Sequence, residues 1–435
     1  MDVNRKTAYL TLLTMEKNKA YSNLELNHQI QEEKPDSPAF VRELVYGVVK
    51  SKLYLDHLLF QLIPNGVKGQ KKRTLTLLRM GLYQIIYMES VPDYAAVNET
   101  VKLARRYLPG RDGFVNGVLR GYLRKKDQLL LPDRKKDPVA YFSVRYSYAD
   151  WIVRLWLEQY GPEKTEELLA AGNETPALSI RVNTLKTEPE ELRLGLEKKG
   201  YQVSNGKLSE RVLFVKGSGI LETEEYRDGL FSVQDESSVL AAETVAAESG
   251  DTVLDICAAP GGKSLAMAEM MGNNGLIRSF DIYEHKLSLL QEEAQRLGIT
   301  IIETDINDGL KQREDLKQVA DKVLVDAPCS GLGVVRRKPE IKYRVLDDNG
   351  KELSDRQLRM LEISAGYVRQ GGILVYSTCT VNRNENTGVV SRFLKKNRDF
   401  ELDGSRQLLP GRDETDGFFI CKMRRRQGWK GGNEI

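Results

Sequence analysis

The sequence predicts a multidomain chain: an all-α helical bundle, then a small α/β subdomain, then an α/β domain built on a Rossmann-like, doubly wound parallel sheet. Three observations carry this. Residues 1–130 place apolar side chains at helical spacing, with no strand-like alternation. Beyond Gly250 short apolar runs alternate with helical patterns, the sign of parallel strands joined by crossover helices. At 435 residues the chain is also too long for one ordinary core. A composition of 41% hydrophobic and 29% charged residues is that of a soluble globular protein. No run approaches the ~20 apolar residues of a membrane span, and the stretch from Met1 to Leu10 does not read as a signal peptide. Four cysteines without paired spacing and three histidines argue against a disulfide framework or a zinc site, and so point to a reducing cytoplasm.

In chain order, the bundle comes first. Val41, Leu44, Val45 and Val48 share one helical face, as do Leu75, Leu78, Leu82 and Ile85, and then Phe114, Val118 and Tyr122. Proline-bearing turns at 34–38, 63–66, 91–93 and 108–110 separate the segments. Residues 1–130 hold 21 Lys/Arg against 13 Asp/Glu, a surplus of 8, whereas the rest holds 44 against 49, a deficit of 5. A basic domain joined to a mildly acidic one suggests that the first grips a polyanion. Lys71–Arg73, Arg105–Arg106 and Arg120–Lys126 are the candidate phosphate contacts. Residues 131–138 read as a linker. A helix from Trp151 to Tyr160 follows, ended by Gly161-Pro162, its aromatics packing at the domain junction. Strands at 178–182 and 211–215 flank a helix from Glu188 to Lys199 and make the small subdomain, 139–235. The last domain, 236–435, carries strands at 252–256, 276–281, 299–303, 322–326 and 372–376.

Chemistry-bearing residues gather where those strands end. Cys257-Ala258-Ala259-Pro260-Gly261-Gly262-Lys263 is a glycine turn between a strand and a helix, the place where an open parallel sheet presents a nucleotide-like ligand. Its spacing matches no pyrophosphate cradle, so a nucleoside without phosphates fits better, and S-adenosylmethionine is the natural choice. Asp281, about 20 residues beyond the turn, suits ribose hydroxyls. Asp305, after the third strand, suits the adenine amine, with Asp308 as its competitor. The fourth strand ends in Asp326-Ala327-Pro328-Cys329 and the fifth in Ser377-Thr378-Cys379, two thiols at neighbouring strand ends. Carbon 5 of cytosine is too poor a nucleophile to take a methyl group unaided, and a thiolate adding at carbon 6 activates it. Asp326 suits proton donation at N3, and Lys263 suits electrostatic assistance. Cys257 and Cys421 read as packing residues.

Two resemblances extend this reading. A-F-V-R-E-L-V-Y-G-V-V (39–49), L-L-R-M-G-L-Y-Q-I-I-Y (77–87), the run 91–105 and G-F-V-N-G-V-L-R (113–120) resemble the NusB family, which implies an RNA-binding module over 1–130. C-A-A-P-G-G-K (257–263), D-A-P-C-S-G-L-G (326–333), R-R-K-P-E-I-K (336–342), Y-S-T-C-T (376–380) and D-G-F-F (416–419), with F-S-V-Q-D-E-S-S (231–238) ahead of them, resemble the RNA 5-methylcytosine methyltransferases, most closely the bacterial 16S rRNA enzymes of the RsmB/Sun/Fmu type. The resemblance implies a class I methyltransferase fold using S-adenosylmethionine, with Cys379 as nucleophile and Cys329 in product release. Cofactor contacts carried over are 257–263, Asp281, Asp305 and Asp326. It implies 16S rRNA as substrate, free or in an early assembly intermediate, and the built-in RNA-binding domain suits a monomer. The chain departs from the pattern at Val381–Asn386, where proline is common, and at Tyr343, where tryptophan is. Other readings are the same chemistry on tRNA, or on DNA with Cys329 as nucleophile, and a non-catalytic RNA-binding assembly factor.

Overall fold

The computed structural model describes residues 2–18, 22–64, 66–345 and 350–428. Asn65 of the turn expected at 63–66, and residues 346–349 and 429–435 of the expected 236–435 domain, lie outside the described residues. The chain forms two compact units, residues 1–173 with 335–345, and residues 174–334 with 346–435.

The first unit is helical. It holds α1 (Val3–Asn18), α2 (Ser22–Glu33), α3 (Pro38–Lys50), α4 (Lys52–Leu62), α5 (Lys72–Tyr87), α6 (Asp93–Tyr107) and α7 (Asp112–Lys125). The expected turns part α2 from α3, α4 from α5, α5 from α6 and α6 from α7, whereas the break between α3 and α4 at Ser51 is not among them. Local chemistry sets the α3 start: the Ser37 side chain accepts from the Phe40 N–H, and Pro38 brings a helix-ready φ. The faces read from the sequence are the ones that pack, with Val41, Leu44, Val45, Leu78 and Leu82 fully buried. Arg79 enters the same core and is matched by Glu16 at 2.5 Å and Asp56 at 2.6 Å. α8 (Pro138–Tyr146) and α9 (Asp150–Ala171) group with these helices. The break expected at Gly161 is present, with φ at 76°, but the helix restarts at Pro162, because a first turn has no use for the missing N–H. Trp156 is buried against the Tyr148 ring, centroids 5.5 Å apart. Residues 335–345 pack here too. The Lys342 ammonium donates to the carbonyls of Lys50 and Tyr146 at 3.0 Å each and to the Asn173 amide oxygen, and burial pushes its pKa well down. The Tyr343 hydroxyl donates to the Val49 carbonyl at 2.7 Å, which anchors that ring among the helices.

The second unit opens with β1 (Leu178–Val182), β2 (Gln202–Asn205), β3 (Val212–Lys216) and β4 (Phe231–Val233), an antiparallel sheet in the order β2-β3-β1-β4. α10 (Pro189–Lys198) buries Leu192 and Leu196 in its core, and α11 (Glu224–Arg227) precedes β4. After α12 (Glu236–Val245) come β5 (Thr252–Asp255), α13 (Gly262–Met270), β6 (Leu276–Asp281), α14 (Glu284–Leu297), β7 (Ile302–Ile306), β8 (Ala320–Asp326), α15 (Lys351–Ala365), β9 (Val368–Thr378), α16 (Thr387–Lys396), β10 (Phe400–Leu408) and β11 (Phe418–Arg425). Among the described residues these strands form a seven-stranded sheet in the order β10-β11-β9-β8-β5-β6-β7. β5 to β9 pair in parallel, and strand order reverses at β5, the switch point where α/β sheets bind ligands.

Two expectations need correction. The sheet is mixed, because β11 runs antiparallel to β9 and β10 antiparallel to β11. β10 is an edge strand whose middle is polar and exposed and whose register shifts between Leu402 and Gly404, so it carries no alternation to read. The third parallel strand begins at Ile302, not 299. Gly298, in the left-handed region at φ 77°, closes α14, and Ile299 folds back to donate to the Ala294 carbonyl at 2.9 Å while burying its side chain. Asp305 therefore lies within β7, opposite Phe280, and not after the strand.

A buried ion pair joins the small sheet to the helix after the glycine turn. Arg181 of β1 makes two 2.8 Å bonds to Glu269 of α13, donates to the Gly262 carbonyl at 2.8 Å and also reaches the Gln234 amide oxygen. Neither partner is more than 1% exposed at the side chain. Arg181→Met strands the Glu269 charge in the interior, and the expected loss is about 3–5 kcal/mol in urea unfolding, most of it recovered by adding Glu269→Leu.

Candidate active site

The glycine turn follows β5 directly. Gly261 takes φ 105°, and a Cβ there would lie 2.4 Å from Leu290 Cγ, so only glycine fits. It stands at the N-cap of α13, which no side chain among the described residues caps, leaving the first N–H groups of that helix for a ligand. Ser264, one residue beyond the turn, donates to Asp255 Oδ2 at 2.7 Å and accepts from the Ser279 hydroxyl at 2.8 Å, fixing turn, β5 and β6 together. The second Asp255 oxygen is buried without a hydrogen-bond partner among the described residues. Asp281 ends β6, where its Oδ1 accepts from the Tyr283 N–H at 3.0 Å. Asp305 pairs with Arg313 at 2.5 Å, and Asp308 accepts from the Leu310 N–H at 3.0 Å. An uncapped helix start, a buried carboxylate oxygen wanting a donor and an acid after β6 suit a nucleoside bearing an amino acid. The Cys257 thiol lies 3.4 Å from Met360 Sδ, and burial pushes its pKa up. Burial also pushes Cys421 up to about 12.

Asp255 gives a testable pH dependence. Burial, against the Ser264 hydrogen bond, raises its folded pKa to about 7 from 3.8. The folded state thus holds this proton longer than the unfolded chain, and stability present below pH ~4 is lost as pH climbs through 7. Asp255→Asn is expected to flatten that decline and to gain up to a few kcal/mol at pH 8.5 relative to pH 5 in urea titrations.

Beside the switch point the ends of β8 and β9 come together. Cys329 Sγ and Cys379 Sγ lie 3.3 Å apart, and both thiols are partly exposed. The hydrogen bond to Cys379, then burial, raise the Cys329 pKa well above its ordinary value. Lys263 donates to Asp326 Oδ2 at 2.6 Å, Ser377 donates to Asp326 Oδ1 at 2.8 Å, and the ammonium sits 5.2 Å from the centroid of the Phe418 ring. Burial works against the Lys263 charge, but the Asp326 carboxylate outweighs it and the pKa ends raised, with a further push from Cys379. The same attraction favours a thiolate on Cys379. The glycines of the motif are explained by close backbone: Gly333 donates to the Cys379 carbonyl at 3.0 Å, and a Cβ on it would strike the Gly417 carbonyl at 1.8 Å.

The structure thus brings Lys263, Asp326, Cys329 and Cys379 into one cluster. It also shows residues that the sequence reading passed over. Glu385 is fully buried behind the thiols, with Asn382, Asn386, Gln357, Ser330 and Thr380 around it. The available signal was V-N-R-N-E-N itself, a polar run directly after the last thiol.

Comparison with known proteins places this geometry in a family. The family described as 16S rRNA methyltransferase RsmB/F matches residues 242–424, the NusB family matches 2–124, and the RsmF/B-like ferredoxin-like domain matches 148–220. The probable ribosomal RNA small subunit methyltransferase B of Bacillus subtilis (strain 168) is 39% identical over 97% of this chain and 98% of its own. The chain belongs to the RsmB/F family of 16S rRNA methyltransferases. Another RsmB/F relative, the ribosomal RNA small subunit methyltransferase B of Escherichia coli O127:H6, is 31% identical over 88% of this chain and 90% of its own. The crystal structure of PH0851 superposes with a TM-score of 0.82 at 25% identity, covering 98% of this chain and 99% of that one. As in the family, a NusB-like helical region precedes a ferredoxin-like subdomain and a mixed-sheet methyltransferase domain.

Proposed function

We propose that the chain methylates carbon 5 of a cytosine in 16S rRNA, with Cys379 as the attacking nucleophile. The observation that carries this is the pair of thiols 3.3 Å apart at the ends of adjacent strands, beside the Lys263–Asp326 ion pair. The Cys379 thiolate adds to carbon 6 while a proton reaches N3, giving an enamine-like ring with its electron density at carbon 5. S-adenosylmethionine, when bound, supplies the electrophilic methyl group that this carbon takes. Loss of the carbon-5 proton to water lets the carbon 6–sulfur bond break as the N3 proton returns to Asp326 and Lys263, which restores the ring and the thiolate. Asp326, held by Lys263 and Ser377, serves the N3 edge, with the Lys263 ammonium as its proton source. Cys329 keeps its proton and donates to the departing sulfur, easing release. Residues 257–263, Asp281 and Asp305 hold the cofactor, and for Asp305 this requires Arg313 to share its carboxylate.

The basic residues of 1–130 grip the RNA, 139–235 carries the intervening subdomain and 236–435 the chemistry, in an enzyme that acts as a monomer in the cytoplasm on free 16S rRNA or an early assembly intermediate. Bisulfite mapping of 16S rRNA from a strain lacking the gene tests the reading. One cytosine protected in the parent is expected to become convertible and to be protected again on complementation. An unchanged map contradicts the reading.

A further inference from the structure

Between the two thiol loops lies a carboxylate that the reaction above does not use. Glu385 has no exposed surface. Its Oε2 accepts from the Ser330 N–H at 2.8 Å and from Gln357 at 3.1 Å, and its Oε1 accepts from the Ser330 hydroxyl at 2.5 Å and from Asn382 at 3.0 Å. Ser330 follows Cys329, and its hydroxyl also meets Thr380, the residue after Cys379, at 2.9 Å. Asn382 returns to Thr380 through its own N–H at 3.1 Å, and Gln357 holds the Pro328 carbonyl at 3.0 Å. The Glu385 backbone carbonyl accepts from the Tyr376 hydroxyl at 2.7 Å, tying the same residue to β9. These four donors to the carboxylate are all neutral.

We propose that Glu385 is a positioning residue that holds the Cys329 thiol against the Cys379 sulfur and, through its charge, keeps the proton on Cys329. The inference rests on the function proposed above and adds to it the group that divides labour between two chemically identical side chains. Two adjacent thiols would otherwise compete for one proton. A fixed negative charge on the Cys329 side, opposite the Lys263 ammonium that favours the Cys379 thiolate, settles which sulfur attacks and which donates. The upward push of Glu385 on the Cys329 pKa agrees with this arrangement.

The test separates this from a purely structural role. In a Cys379→Ser background, iodoacetamide alkylation of Cys329, followed by peptide mass spectrometry across pH, reads the Cys329 ionisation without any methyl transfer. Glu385→Gln is expected to move the alkylation profile to lower pH, speeding alkylation roughly 10-fold at a fixed pH below the midpoint. Glu385→Asp keeps the charge and leaves the midpoint in place while slowing methyl transfer in the Cys379 enzyme. Should the amide variant fail to fold, Ser330→Ala, which cuts the grip and spares the charge, is expected to slow single-turnover transfer with the midpoint unmoved. An unshifted profile in Glu385→Gln, or full transfer rates in both Glu385→Asp and Ser330→Ala, overturns the proposal. If the parent itself transfers no methyl group, the functional reading fails instead, and the alkylation result stands apart from it.

Discussion

The Cys379→Ser enzyme is expected to lose methyl transfer by roughly 10⁴-fold or more while binding RNA as the parent does. A serine hydroxyl is barely ionised near neutrality, whereas the Cys379 sulfur feels the Lys263 ammonium and lies 3.3 Å from the Cys329 thiol. The oxygen variant therefore lacks the nucleophile without disturbing its surroundings. The side chain is partly exposed, and the neighbouring Thr380 and Asn382 contacts do not pass through the sulfur. Thermal unfolding close to that of the parent, with transfer of labelled methyl reduced to background in single-turnover assays, is the expected outcome. A rate near the parent's contradicts the assignment.

Cys329→Ala is expected to behave in the opposite way. Attack remains possible, because Cys379, Lys263 and Asp326 are intact. Release is slowed, because the donor 3.3 Å from the departing sulfur is gone. Losing one such donor at a developing anion costs about 10²–10³-fold, so turnover should fall by that much while a covalent enzyme–RNA species accumulates and survives denaturing electrophoresis. If Cys329 were the attacking group, as the DNA-type alternative requires, the outcomes would exchange: Cys329→Ala would form no adduct and Cys379→Ser would trap one.

The glycine turn, both thiol motifs and the parallel strands other than β7 were legible because each rests on local chemistry. A left-handed Gly261, a proline before Cys329 and apolar runs of strand length leave marks within a few residues. What escaped depends on contacts distant in sequence. β10 is a strand because β11 lies beside it, and its own residues are mostly polar. The start of β7 was misplaced because Ile299 has the composition of a strand residue but serves to close α14. Glu385 looked like one more charged residue in a polar loop. Its importance appears only when Ser330, 55 positions earlier, is brought onto its carboxylate. Arg181 was likewise read as part of a strand, although its partner Glu269 lies 88 positions away.

Proteolytic mapping of the adduct tests the central claim most directly. RNA carrying 5-fluorocytosine, which cannot lose its carbon-5 substituent as a proton, is incubated with the enzyme and S-adenosylmethionine, digested with nuclease and trypsin, and weighed. Trypsin separates the two thiols, because Cys379 falls in the peptide from Gln370 to Arg383 and Cys329 in that from Val323 to Arg336. The account predicts the added pyrimidine mass on the peptide of residues 370–383. The same mass on residues 323–336, or on neither peptide in an enzyme that methylates unmodified RNA, contradicts it.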